Sequence, residues 1–126
     1  MRTVSIRLES LTEEVLRRVI ELYDETVGGN GSRYFNSGTL QYVKEMLTNR
    51  SSVEWRFGSR LSGHSKLWIQ LDYRTRLSEP VIYFSFAANV DESPGIRKRV
   101  QKLEANFSRS VSEFLEERGL AVSGSE

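Results

Sequence analysis

The chain has no cysteine and a single histidine, His64, in 126 residues. The first absence excludes a disulfide framework, a thiol nucleophile and every cysteine-containing zinc site. The second excludes a metal site built from two histidines of one chain. Charge of one sign is missing as well. Eighteen Lys and Arg face 17 Asp and Glu, a net charge of +1. Such a chain has no whole-molecule attraction for polyanions, so nucleic-acid binding would require a segregated basic face. No stretch reaches the roughly 18 apolar residues that span a bilayer. The opening residues Met1–Leu8 alternate polar and apolar and lack the apolar block, about 7–15 residues long, of a secretory leader. These features predict a cytoplasmic chain with no membrane association. Without an export signal, the Asn-x-Ser sequons at Asn30, Asn49 and Asn106 read as coincidental.

Hydrophobic residues make up 38% and charged residues 28%, enough apolar material for one core under an ordinary solvated surface. A single α+β domain is expected over residues 1–120, with 121–126 a flexible C-terminal tail. Val4, Ile6 and Leu8 alternate with Thr3, Ser5 and Arg7, the period of a half-buried strand. Ser10 and Glu13 form an S-x-x-E capping box. Leu11, Val15, Leu16, Val19, Ile20, Leu22 and Tyr23 then follow at helical spacing, which predicts a helix over 11–27 closed by Gly28. Glu13–Arg17 and Glu14–Arg18 stand in the favourable i,i+4 order. Leu40, Val43 and Leu47 predict a second helix over 39–49.

Three strands come next. Val53, Trp55 and Phe57 alternate with Glu54, Arg56 and Gly58. Leu67, Ile69, Leu71 and Tyr73 alternate with Trp68, Gln70, Asp72 and Arg74. Ile82, Phe84 and Phe86 alternate with Val81, Tyr83 and Ser85. Short breaks bearing Gly63 and Pro80 make them consecutive antiparallel hairpins. Ser93-Pro94 reads as an N-cap with proline at the first helical position, opening a helix over 94–118 that stops at Gly119. The order β-α-α-β-β-β-α predicts an antiparallel four-stranded sheet with the helices packed on one face and a long C-terminal helix. In element order this is similar to a shortened helix-grip arrangement, in which such a helix lies across a curved sheet.

The alternation also defines the opposite face. It gathers six cations, Arg7, Arg56, Arg60, Lys66, Arg74 and Arg76, against the acids Glu54 and Asp72, a face charge of +4 on a molecule of +1. Trp68 and Tyr83 lie among these arginines. Arg7, Arg56, Arg60, Trp68, Arg74, Arg76 and Tyr83 are therefore the candidate interaction residues. Arginine with Trp and Tyr is the composition of protein-interface anchors and of RNA contacts alike. Three uses are open: docking of a second copy or partner protein on the face or an edge strand, stacking of single-stranded nucleic-acid bases, and a plain solvated surface on which the rings lean on arginine stems.

Other chemistry is less well supported. Gly28–Arg33 has the look of a phosphate-cradling loop but lacks the G-K-[ST] ending and follows a helix rather than a strand, so it reads as a linker. His64, flanked by Ser62 and Ser65, falls in a hairpin turn without an orienting acid. Glu54 and Asp72 resemble a magnesium pair, but the arginines around them favour cross-strand ion pairs. Arg97, Lys98, Arg99 and Lys102 open the last helix against its dipole, which marks either an anion or acidic-partner site or a cluster neutralised by Asp91 and Glu92. Trp55, Phe57, Tyr73, Phe84, Phe86, Phe107 and Phe114 converge between sheet and last helix, as a filled core or as the lining of an apolar ligand pocket. No catalytic, metal or cofactor-binding residue is assigned. The expected function is that of a non-enzymatic interaction domain that self-associates or binds a partner protein. Single-stranded nucleic-acid binding and apolar ligand carriage are the alternatives.

Overall fold

A computed structural model describes residues 3–28, 38–49, 53–61, 65–74, 81–89, 93–120 and 122–124, with the side chains of 3, 54–61, 65–66, 74 and 122–124 outside the description. The elements are β1 (Thr3–Arg7), α1 (Glu13–Val27), α2 (Thr39–Thr48), β2 (Val53–Leu61), β3 (Ser65–Arg74), β4 (Val81–Ala88), α3 (Pro94–Glu117) and β5 (Val122–Gly124). The fold is α+β, with three α-helices among the described residues, of which the C-terminal one, at 24 residues, is the longest. Strands β2, β3 and β4 form an antiparallel meander, and β1 joins the free side of β4, again antiparallel. The sheet differs from the expected four strands. Val122–Gly124, inside the segment expected to be a loose tail, pairs with β1 and completes a five-stranded sheet in the order β2-β3-β4-β1-β5.

The start of α1 also departs from the pattern. Ser10 lies in a short 3-10 turn over Leu8–Ser10, so the Ser10/Glu13 box does not form; instead the Thr12 hydroxyl accepts from the Val15 amide at 3.2 Å. The fully buried Leu11 anchors the intervening extended residues in the core, which moves the helix start to Glu13. At the other end Gly28 takes φ 70°, a left-handed cap that costs glycine nothing. α2 matches its expected span to one residue. α3 has Ser93 at the N-cap position without a side-chain cap hydrogen bond, and Pro94 in its first turn. It ends in a Schellman motif. Gly119, at φ 66°, donates to the Glu116 carbonyl at 3.0 Å, and Leu120 donates to that of Leu115 at 2.9 Å.

All three helices turn their apolar faces to one side of the sheet. Val4 and Ile6 of β1, Leu67, Ile69 and Leu71 of β3, and Ile82, Phe84 and Phe86 of β4 form one cluster with Val15, Leu16, Val19 and Tyr23 of α1, Val43 and Leu47 of α2, and Val100, Phe107, Val111 and Leu115 of α3. Its centre is aromatic. Tyr23 meets Phe107 edge-on at 6.1 Å and Phe86 at 5.9 Å, while Phe86 and Phe107 lie 5.7 Å apart. The Tyr23 hydroxyl donates to the carbonyl oxygen of Leu67, so the phenol enters the core without leaving its polar atom unsatisfied.

The i,i+4 pairing on α1 is half as expected. Arg17 does bond Glu13, at 3.2 Å, but Arg18 turns to Glu21 and Glu25 at 3.2 and 3.0 Å. Glu14 instead meets Arg118, whose guanidinium also lies over the Phe114 ring at 5.3 Å, and the pair clips the start of α1 to the end of α3. The Glu25 hydrogen bond is the leading reason the Arg18 guanidinium titrates above its ordinary value.

Candidate interaction face of the sheet

Placing the helices on one side leaves the other side of the sheet to the alternate residues of each strand. The register sorts these into rows that cross the strands at about 4.8 Å per step. The first row is Arg7, Val81 and Arg74; the second is Ser5, Tyr83 and Asp72. The third runs Thr3, Ser85, Gln70 and Glu54, and the fourth Ala87, Trp68 and Arg56, with Lys66 and Arg60 paired beyond it. The strand order thus gives Arg7, Arg56, Arg60, Trp68, Arg74 and Tyr83 register positions on one set of adjoining rows. Its cations occupy register positions at the two ends, with a polar and aromatic middle between them. The side chains of Arg56, Arg60 and Arg74 and the whole of Arg76 lie outside the described residues.

Exposure corrects one expectation. Trp68 stands on this face, opposite the helical layer, yet only 8% of it is exposed. β3 is an interior strand, and the register partner of Trp68 on β4 is Ala87, whose side chain is a single methyl. Ser5, Ser85 and Ala87 are buried along with it, a strip of small residues on the two strands beyond β3. Nε1 of the indole is itself buried. Tyr83, Gln70, Asp72 and Val81 are half-buried, and Arg7 is exposed at the edge of the face, where it bonds Glu9 at 3.3 Å.

Polar contacts tie the middle of the face together. The Ser85 hydroxyl donates across the strands to the Gln70 carbonyl at 3.4 Å, and the Gln70 amide donates along the strand to Asp72 at 3.3 Å. Gln70, rather than Asp72, is the register partner of Glu54, so the two acids are not opposed as a direct cross-strand pair. Among the described residues, no three metal-ligating acids or histidines cluster. His64, the Gly29–Arg33 part of the linker and the acids Asp91 and Glu92 lie outside the described residues. Asn30 lies there as well; Asn49 is exposed at the end of α2, and Asn106 is half-buried on α3.

Where an apolar ligand pocket was one expectation, Phe84, Phe86 and Phe107 are each buried to about 1% exposure and in ring contact with one another or with the core. Trp55 and Phe57 have side chains outside the described set. Two hollows lined by described residues lie elsewhere. One of about 650 Å³ runs along α2 beside Leu40, Lys44 and Thr48, and one of about 380 Å³ lies between α1 and α3 around Arg17, Phe114 and Arg118. A residue that periodicity did not single out is Tyr42, 57% exposed on α2. The signal was available, since it falls between the inward positions Leu40, Val43 and Leu47. No helix among the described residues is long and apolar enough to cross a membrane.

The architecture is therefore that of a one-sided α+β layer, helices against one face of an antiparallel sheet. Comparison with protein-family models, curated proteins and solved structures found no match to this chain.

Proposed function

We propose that the protein is a non-enzymatic interaction domain that associates, through the outer face of its sheet, with a second copy of itself or with another protein. The observation that carries this is the one-sided layering: α1, α2 and α3 all join a core on the inner face, while Tyr83 stands half-buried on the outer one between Ser5 and Asp72. A central aromatic ringed by polar groups, with arginines at the margin, is the arrangement from which protein interfaces draw most of their affinity. The edge strand β2 supplies a second element. Among the described residues it pairs only with β3, and its register shifts between Arg56 and Arg60. An irregularity of that kind limits indiscriminate strand addition and leaves the sheet face as the more selective surface.

The double variant Tyr83→Ala/Arg74→Glu tests this by sedimentation, both purified and in native extract. Wild type should run above the mass of one chain in at least one of these settings, and the variant should run at that mass with an unchanged circular dichroism spectrum. A wild type at single-chain mass in both, or a variant that keeps the wild-type profile, overturns the assignment. Single-stranded nucleic-acid binding by the same face ranks second. Bases stack on open ring faces, and the burial of Trp68 leaves Tyr83 as the described ring of this face with appreciable exposure.

A further inference from the structure

Two groups of cations on the described surface contrast. Arg7, Arg17, Arg18 and Arg118 each bond a carboxylate of the fold. Arg97, Lys98, Arg99 and Lys102 are all exposed on the first half of α3, and no acid among the described residues pairs with them. The arrangement works against the helix, because cations in its opening turns oppose the dipole and repel one another. The first turn of α3 also carries no acid to offset them.

Geometry lines these charges up. The buried positions of α3, Val100, Phe107, Val111 and Leu115, fix its inner stripe. Lys98, Lys102, Ala105 and Arg109 recur at steps of four, three and four residues on the opposite side. At 1.5 Å per residue this stripe is about 16 Å long, with Lys98 and Lys102 about 6 Å apart. Arg97 and Arg99 flank it. Counting all charges from Asp91 to Arg109, five cations stand against Asp91, Glu92 and Glu104, so the segment is +2 while the rest of the chain is −1.

From this we infer a second docking surface, on the side of the molecule away from the sheet face, which binds the phosphate backbone of nucleic acid without regard to sequence. The chemistry of the stripe selects that occupant. Protein interfaces draw most of their affinity from buried anchors such as aromatic side chains, and helices that lie in a membrane surface add apolar side chains that enter the acyl boundary. Between Pro94 and Arg109 the exposed positions carry Pro94, Gly95, Arg97, Lys98, Arg99, Gln101, Lys102 and Arg109, none of them a large apolar residue. Phosphates require only cations at short intervals along a straight support, and affinity then comes from counterion release.

Fluorescence anisotropy of a labelled duplex of about 20 base pairs, titrated at several salt concentrations, tests this. Wild type should bind at low salt, with log K falling against log salt at a slope of about −3 to −4 for four phosphate contacts. Lys98→Glu/Lys102→Glu should weaken binding at least about tenfold and reduce that slope by about 2. Both side chains are exposed, so an unchanged circular dichroism spectrum is expected. Arg17→Glu/Lys44→Glu makes the same change in net charge elsewhere and should keep most of the affinity. Absence of binding by wild type, or equal loss in the two double variants, overturns the inference. Tighter capture by phosphatidylserine vesicles than by the duplex overturns it in favour of a lipid surface. Failure of Tyr83→Ala/Arg74→Glu to alter sedimentation leaves this surface unaffected, because the two sites lie on opposite sides of the molecule.

Discussion

Replacing Trp68 by alanine separates a structural role for the indole from a docking role. A tryptophan side chain buries about 150–250 Å², and apolar area contributes about 25 cal/mol per Å². With 8% of Trp68 exposed, nearly all of that area is out of water, an upper value of about 4–6 kcal/mol. Some of it returns through the alanine methyl and through settling of the neighbours, so the expected loss is about 3 kcal/mol, near the lower end for large-to-small substitution. Against a domain stability of about 5–15 kcal/mol this is a severe change. Urea unfolding at 25 °C should show a lower midpoint at an unchanged slope, and the melting temperature should fall by roughly 10 °C. Trp68→Phe, which keeps a ring at this position, should lose less than half as much. A loss below about 1 kcal/mol for Trp68→Ala is the scale of an ordinary surface substitution, and it would refute the burial on which this reasoning rests.

Two further substitutions probe the fold. Thr12→Ala should cost about 1 kcal/mol in denaturant unfolding while Ser10→Ala stays near neutral; the reverse ranking would restore the Ser10/Glu13 capping box. Tyr23→Phe keeps the ring among Phe86 and Phe107 but removes the donor to the Leu67 carbonyl, which should lower stability by about 1–2 kcal/mol; no change would mean that this carbonyl does not depend on the phenol.

Much of the secondary structure is legible because its apolar period is clean. Leu67, Ile69 and Leu71 are buried as their alternation requires, and Val100, Phe107, Val111 and Leu115 fall on the inner stripe of a helix. What the period does not carry is non-local. Val122-Ser123-Gly124 is too short and too mixed to announce a strand, and it becomes one because β1 offers it an open side. The choice between Ser10 and Thr12 as cap turns on how deeply Leu11 is buried, a tertiary fact. The rows of the candidate face follow from alternation once strand neighbours are known. The burial of Trp68 does not, because it depends on what the neighbouring strands place around the indole, with Ala87 of β4 and Arg56 of β2 at its own register position. Pairing on α1 shows the same limit. Glu14 has Arg18 within reach along its own helix but bonds Arg118, which only the packing of α3 brings near.

β1 stands between β4 and β5, although it precedes every other strand in the chain. Both of its backbone edges are taken by residues far downstream, 81–85 on one side and 122–124 on the other. During synthesis this strand has nothing to join until the meander has emerged, so the layer closes late and by long-range pairing, a slow route for a chain of this size. A ribosome-bound nascent chain ending before residue 81 should accordingly leave its first strand open to protease.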